Sequence, residues 1–204
     1  MKKGSPIHNN IAISKRYEKA LQKAIDQMRN SSEKEINKLL YRKSAKSYFK
    51  LAEDAKKEKT ISTKAKLALA ALLLKFQLLF NKKSRTFAEA MLEDVRKYTS
   101  TAVHRSLREL TGESFNTSTL STLGRIKAQA IVTENISLIK SIPQQYFTQI
   151  TGEVMRSIIT GSMEGLEEAI KKHGKISEKR AKMIASDQTN KAIQAIARQK
   201  MIDK

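Results

Sequence analysis

Apolar residues recur every third or fourth position through almost the whole chain, and only two prolines and seven glycines punctuate it. A helix brings positions three and four apart onto one face, whereas a half-buried strand needs alternation of period two. No alternation of useful length occurs anywhere in the 204 residues, and an all-β chain would need more Gly and Pro for its turns. The spacing predicts an all-α fold, with extended basic helices at the N-terminal end followed by a C-terminal helical domain.

Residues 11–58 read as one long helix, or as two with a soft break at Asn30-Ser31-Ser32. Tyr17, Leu21, Ala24, Ile25 and Met28 form a stripe that Ile36, Leu39, Leu40, Tyr48, Phe49 and Ala52 continue. The stripe is narrow and Lys and Glu fill the other faces. Residues 1–60 are therefore expected to be a basic helical arm that gains order by burying its stripe on a partner. Residues 61–113 are expected to form a helical hairpin. Its first helix, AKLALAALLLKFQLLF (65–80), is the most apolar run in the protein. Lys75 and Gln77 interrupt it and it falls short of the ~20 residues of a bilayer span, so the expectation is a buried core helix and no stable membrane span. The alternative is a segment that inserts into a membrane after release from an assembly.

The second helix of that hairpin is expected to be capped by Ser84 and ended by Thr111-Gly112. SFNTSTLST (114–122) reads as a polar linker and the best domain boundary. Residues 123–204 then form the C-terminal helical domain. Within it Pro143 is expected to end one helix and open the next, Gly161 and Gly165 to bracket a turn, Gly174 to close a short helix, and Ser177 to cap the last one.

Charge narrows the partners. The chain has 40 Lys and Arg against 20 Asp and Glu, a formal net charge of +20. The excess is spread along its length: 16 basic against 7 acidic residues in 1–60, 11 against 5 in 61–125, and 13 against 8 in 126–204. Such a surface attracts polyanions, because each phosphate neutralised releases condensed counterions. KRYEKALQK (15–23) and YRKSAKSYFK (41–50) set cations beside aromatics. Lys15, Arg16, Lys19, Arg42, Lys43, Lys46 and Lys50 are thus the candidate contacts to nucleic acid or an acidic partner. The competing reading is a solvated helical face whose aromatics pack inward.

Catalytic signals are missing from the residues. Without Cys there is no disulfide, thiolate nucleophile or sulfur-ligated zinc. His8, His104 and His173 lie far apart, each without a His, Asp or Glu three or four residues away, and no nucleophile elbow, P-loop or G-x-G-x-x-G is present. The paired acids Glu53-Asp54 and Glu167-Glu168 diverge by about 100° on a helix and do not converge on one metal. The residues assign no catalytic group, cofactor or metal site.

One C-terminal pattern is more specific. Asn135, Leu138, Ile139, Ser141, Ile142 and Pro143 spell N-x-x-L-I-x-S-I-P, and Arg180, Ala181, Ile184, Ala185, Asp187, Gln188, Thr189 and Lys191 spell R-A-x-x-I-A-x-D-Q-T-x-K. An amphipathic helix and a Gly-bounded turn separate them. In order and spacing, residues 130–201 resemble the head morphogenesis family of tailed bacteriophages, the Mu-F-like minor head proteins. The resemblance implies a non-enzymatic virion protein in multiple copies around a portal ring, inside the capsid at the portal vertex and in the host cytoplasm during assembly. It implies roles in head assembly and in DNA packaging, retention or ejection. The partners it implies are the portal protein, packaged double-stranded DNA, and the major capsid or scaffolding protein. Relatives usually continue into a W-x-T-x-x-D-x-R-x-R-x-x-H region that has no counterpart here, so nothing of that region is carried over. Set against this stands a basic, non-specific DNA-binding protein acting free in the host.

Within the second motif, DQTN interrupts a run of good helix formers. Asp187 and Gln188 are expected to be buried or half-buried hydrogen-bonding groups that fix the last helix against residues 144–160, with Lys191 pairing back to Asp187.

Overall fold

The computed structural model describes residues 4–40, 55–160 and 165–203. Among the described residues the protein is all-α, with no strand: α1 (Ile11–Leu40), α2 (Ala55–Thr111), α3 (Thr122–Thr160) and α4 (Leu166–Ile202). None of these helices is long and apolar enough to cross a membrane.

The ends of the helices follow local chemistry. Asn10 opens α1, its Oδ1 accepting the amides of Ala12 at 3.0 Å and Ile13 at 3.2 Å. Gly112 ends α2 with φ of 80°, a left-handed turn that returns its amide to the Arg108 carbonyl at 2.8 Å. Ser121 caps α3 by accepting the Gly124 amide at 3.2 Å.

Five expected breaks or caps lie instead inside helices. Ser32 is fully buried in α1, and its hydroxyl donates to the Met28 carbonyl at 2.8 Å, so the helix itself satisfies it. Ser84 is buried within α2 rather than capping it, so residues 61–111 belong to one continuous helix and not to a hairpin. Pro143 sits inside α3. An interior proline costs about 3 kcal/mol, but Ile142, Tyr146, Phe147 and Ile150 are buried around it, at about 1.5–3 kcal/mol each. Gly174 is likewise interior to α4. A Cβ there would come within 2.8 Å of Arg29 Cδ, so glycine admits the arginine that reaches Glu178 at 2.6 Å. Ser177, expected as a cap, donates along α4 to the His173 carbonyl at 3.1 Å.

The chain clusters into two units, each discontinuous in sequence. One comprises Met1–Leu21, Lys82–Ile139 and Ala181–Lys204; the other comprises Gln22–Asn81 and Lys140–Arg180. Neither follows the consecutive segments 1–60, 61–113 and 123–204. The first unit buries Ile13, Tyr17, Leu21, Val95, Val103, Ile131, Val132, Ile193 and Ile196. The second buries Ile25, Met28, Ile36, Leu69, Phe76, Phe80, Tyr146, Phe147 and Ile150. There Phe76 stacks on Phe147 with centroids 6.1 Å apart, Tyr146 meets Phe147 edge-on at 5.2 Å, and burial pushes the Tyr146 phenol up to about 12. The described part of the expected arm thus has its stripe covered by the chain's own helices. The apolar run 65–80 is only half core: Ala65, Leu69, Phe76 and Phe80 are buried, while Leu67, Leu74 and Leu78 are exposed.

Candidate functional site: a polar seam and a basic surface

Three helices of the first unit meet at a buried polar seam. Asn135 on α3 and Gln188 and Thr189 on α4 are almost wholly inaccessible to solvent. Their neighbours on the same faces, Ile131, Val132, Ala185 and Ala192, are apolar and buried, which is what carries the polar groups inward. The Tyr17 hydroxyl of α1 donates to Asn135 Oδ1 at 2.6 Å. Gln188 Nε2 donates to Glu134 Oε1 at 3.2 Å, and Lys191 Nζ donates to the other oxygen of that carboxylate at 2.5 Å. Those two bonds, Lys191 first, hold the Glu134 carboxyl below the usual glutamate range. Burial dominates at Tyr17 and raises its phenol well above the ordinary value, with the Asn135 bond acting in the opposite sense.

Expectation and geometry differ in detail. Asp187 is exposed and, among the described residues, bonded only to its neighbour Gln188 at 3.2 Å, so the seam is made by Gln188 and Thr189. Lys191 pairs with Glu134 and not with Asp187. The helix segment it meets is that around 134–135, not 144–160. Three polar atoms of the seam, Asn135 Nδ2, Gln188 Oε1 and Thr189 Oγ1, are buried with no hydrogen-bond partner among the described residues. Such atoms restrict which registers the helices can adopt, since any slip that buries more of them costs about 1–3 kcal/mol each. In the second unit Arg180 Nη2 donates to Ser141 Oγ at 3.0 Å, and Pro143 is buried. In the second unit a side-chain bond thus joins the two sequence motifs, and in the first unit the second motif bonds Glu134, the residue directly before the first motif.

The basic residues divide. Lys15, Arg16 and Lys19 are exposed on α1, and Arg16 pairs with Asp94 at 3.1 Å. Lys15 and Lys19, one turn apart, make no ion pair among the described residues. Arg42, Lys43, Lys46 and Lys50 lie outside the described residues. By sequence, the first unit has 19 Lys and Arg against 9 Asp and Glu, and the second has 21 against 11. The excess positive charge is shared equally.

Sequence reasoning missed a second polar cluster in the first unit. Lys200 is only 1% exposed; its Nζ donates to Ser100 Oγ and to the Thr117 carbonyl. Desolvation, with Arg96 adding repulsion, lowers its pKa. Thr117 Oγ1 donates in turn to the Ser100 carbonyl at 2.8 Å, and His104 Nδ1 donates to the Phe115 carbonyl at 2.9 Å. The segment 114–122 is thus pinned inside one unit and does not separate domains. A pocket of about 210 Å³ opens beside it, lined by Thr117, Thr119, Leu120, Ser121, Lys200 and Asp203. A signal for Lys200 was present: Ala192, Ile193, Ile196 and Ala197 put position 200 on the buried stripe.

The histidines stay apart. His8 is exposed, and its carbonyl accepts the Tyr98 hydroxyl at 2.8 Å. His173 Nε2 lies 3.7 Å from Glu153. Among the described residues no three His, Cys, Asp or Glu side chains are grouped to hold a metal ion. The seam supplies amides, hydroxyls and one exposed ion pair, a chemistry suited to fixing helices.

No protein-family model matches the chain. No solved structure matches it either. A Haemophilus influenzae protein described as "Uncharacterized protein" is 44% identical over 66 residues, 32% of this chain. The chain spans about 15% of that relative's length.

Proposed function

We propose that the protein is a minor head protein of a tailed bacteriophage, of the Mu-F-like head morphogenesis type. It would sit inside the capsid at the portal vertex and act in head assembly and in DNA packaging, retention or ejection, as a structural component and not an enzyme. The observation that carries this reading is the pairing of the two motifs. Of the residues that create the resemblance, Arg180 of the second motif bonds Ser141 of the first, and Gln188 and Lys191 bond Glu134, the residue directly before Asn135. A motif whose parts hold each other is a fold signature, and a fold signature transfers to a structural protein more readily than an isolated polar residue would. The net charge of +20, shared by both units, suits a neighbour of packaged DNA.

The test is to purify particles from the host that bears the gene and to follow the protein before and after DNA release. The expected result is a fixed, small number of copies per particle that co-purifies with the portal protein. A protein absent from particles and bound to host DNA would overturn the reading. That outcome is the second reading, which the exposed Lys15 and Lys19, without an ion pair among the described residues, favour: salt-steep, sequence-indifferent DNA binding.

A further inference from the structure

The second unit presents a leucine ridge with nothing among the described residues to cover it. On α2, Leu67 is 66% exposed, Leu74 58% and Leu78 61%, while Ala65, Leu69, Phe76 and Phe80 on the opposite side form core. Leu67, Ala71, Leu74 and Leu78 follow one another at steps of four, three and four, so they lie within about 60° of each other on the helix. That alternation is the seam another helix reads, with knobs entering the holes between successive turns.

Charge selects the occupant. From residue 59 through residue 88 the sequence contains no Asp or Glu. Lys64 and Lys75 border the ridge on one side and Lys66 lies beyond its other edge; all three are exposed and make no ion pair among the described residues. Two copies of the chain meeting through this ridge would set these lysines against one another. The width of the ridge argues against a membrane: an interfacial helix buries a broad apolar face rich in aromatics, whereas Thr63 and Gln77 flank this one and both nearby phenylalanines are buried. We propose that the Leu67–Leu78 face of α2 docks an acidic amphipathic helix of a partner protein, leucines in the seam and carboxylates on the Lys64, Lys66 and Lys75 flanks. The inference stands independently of the head-protein reading.

The test uses the full chain and a labelled three-heptad peptide with Leu at the seam positions and Glu at the flanking ones, followed by fluorescence anisotropy. A matched peptide with Lys in place of Glu is the control. The acidic peptide should bind at least tenfold more tightly than the basic one, and more weakly as salt rises. Leu74→Ser with Leu78→Ser should weaken it at least tenfold with unchanged helical circular dichroism, since both side chains already face solvent. Lys64→Glu with Lys75→Glu, which spares the leucines, should invert the preference between the two peptides. The proposal is overturned by absent or equal binding of the two peptides. It is equally overturned if the leucine substitutions instead dissolve a dimer of the chain, or abolish adsorption to phosphatidylglycerol vesicles while peptide binding persists.

Discussion

Among the largest fully buried side chains of the second unit are Phe76, Phe80, Tyr146 and Phe147, and of these Phe76, Tyr146 and Phe147 form a cluster of stacked and edge-on rings. In the first unit the corresponding interior is laced with Asn135, Gln188, Thr189, Thr117 and Lys200. Both are helical, and both carry the same excess of positive charge. They differ in what holds the helices in register. Ring packing is non-directional and scales with area, so it tolerates exchange of one large apolar group for another. A hydrogen-bonded seam contributes less net energy but penalises every arrangement that leaves its groups unpaired. The unit bearing the DQTN motif is the one specified by direction rather than by volume.

The largest effect is expected where volume dominates. Phe147→Ala should lower stability by about 3–5 kcal/mol, read as a shift of the urea midpoint. Phe147→Leu should recover most of that loss. If leucine and alanine prove equally harmful, the ring geometry matters beyond its volume and the contrast between the units narrows.

A smaller effect with a sharper signature is expected at Tyr17 and Asn135. Tyr17→Phe leaves the Asn135 amide wholly unpartnered, and Asn135→Leu leaves the buried Tyr17 hydroxyl without its acceptor. Each change alone should cost about 1–3 kcal/mol although the volume hardly alters. The double variant should be close to wild type, because both polar groups are then gone. Strictly additive losses would mean that Tyr17 and Asn135 act as packing volume, and the seam would then be no different in kind from the ring cluster.

Helical spacing was enough for the fold class and for part of the core: Tyr17, Leu21, Ala24, Ile25, Met28 and Ile36 were all legible as one-face residues, and all are buried. The boundaries were not, because Pro143, Gly174, Ser84 and Ser177 are local signals that tertiary burial overrides. Gly174 shows the mechanism plainly: its lack of a Cβ serves the passage of Arg29, a residue 145 positions earlier, and no local rule contains that information. The site was half legible. DQTN stood out as polar residues in a helical run, and its packing role could be inferred. Its partner could not, because Glu134 meets Gln188 only through long-range pairing.

The smallest expected effect lies at the exposed rim of that same seam. Glu134 and Lys191 are about half exposed, 44% and 48% for their side chains, so water and salt screen their attraction and its worth is at most about 1 kcal/mol. The sign of its pH dependence is fixed by the lowered Glu134 pKa. The native state holds the charged form more firmly than the unfolded chain does, so the contribution is fully present above the ordinary glutamate value of 4.5 and is lost as pH falls through the native one. Lys191→Met should therefore flatten the acid limb of the stability curve slightly and leave neutral-pH stability almost unchanged at high salt. Gln188 still donates to Glu134 in that variant, so a residual acid dependence should persist until Gln188→Leu is added. If Lys191→Met proved as costly at high salt as at low, the pair would behave as a buried element. The boundary between directional interior and screened rim would then have to move outward to include it.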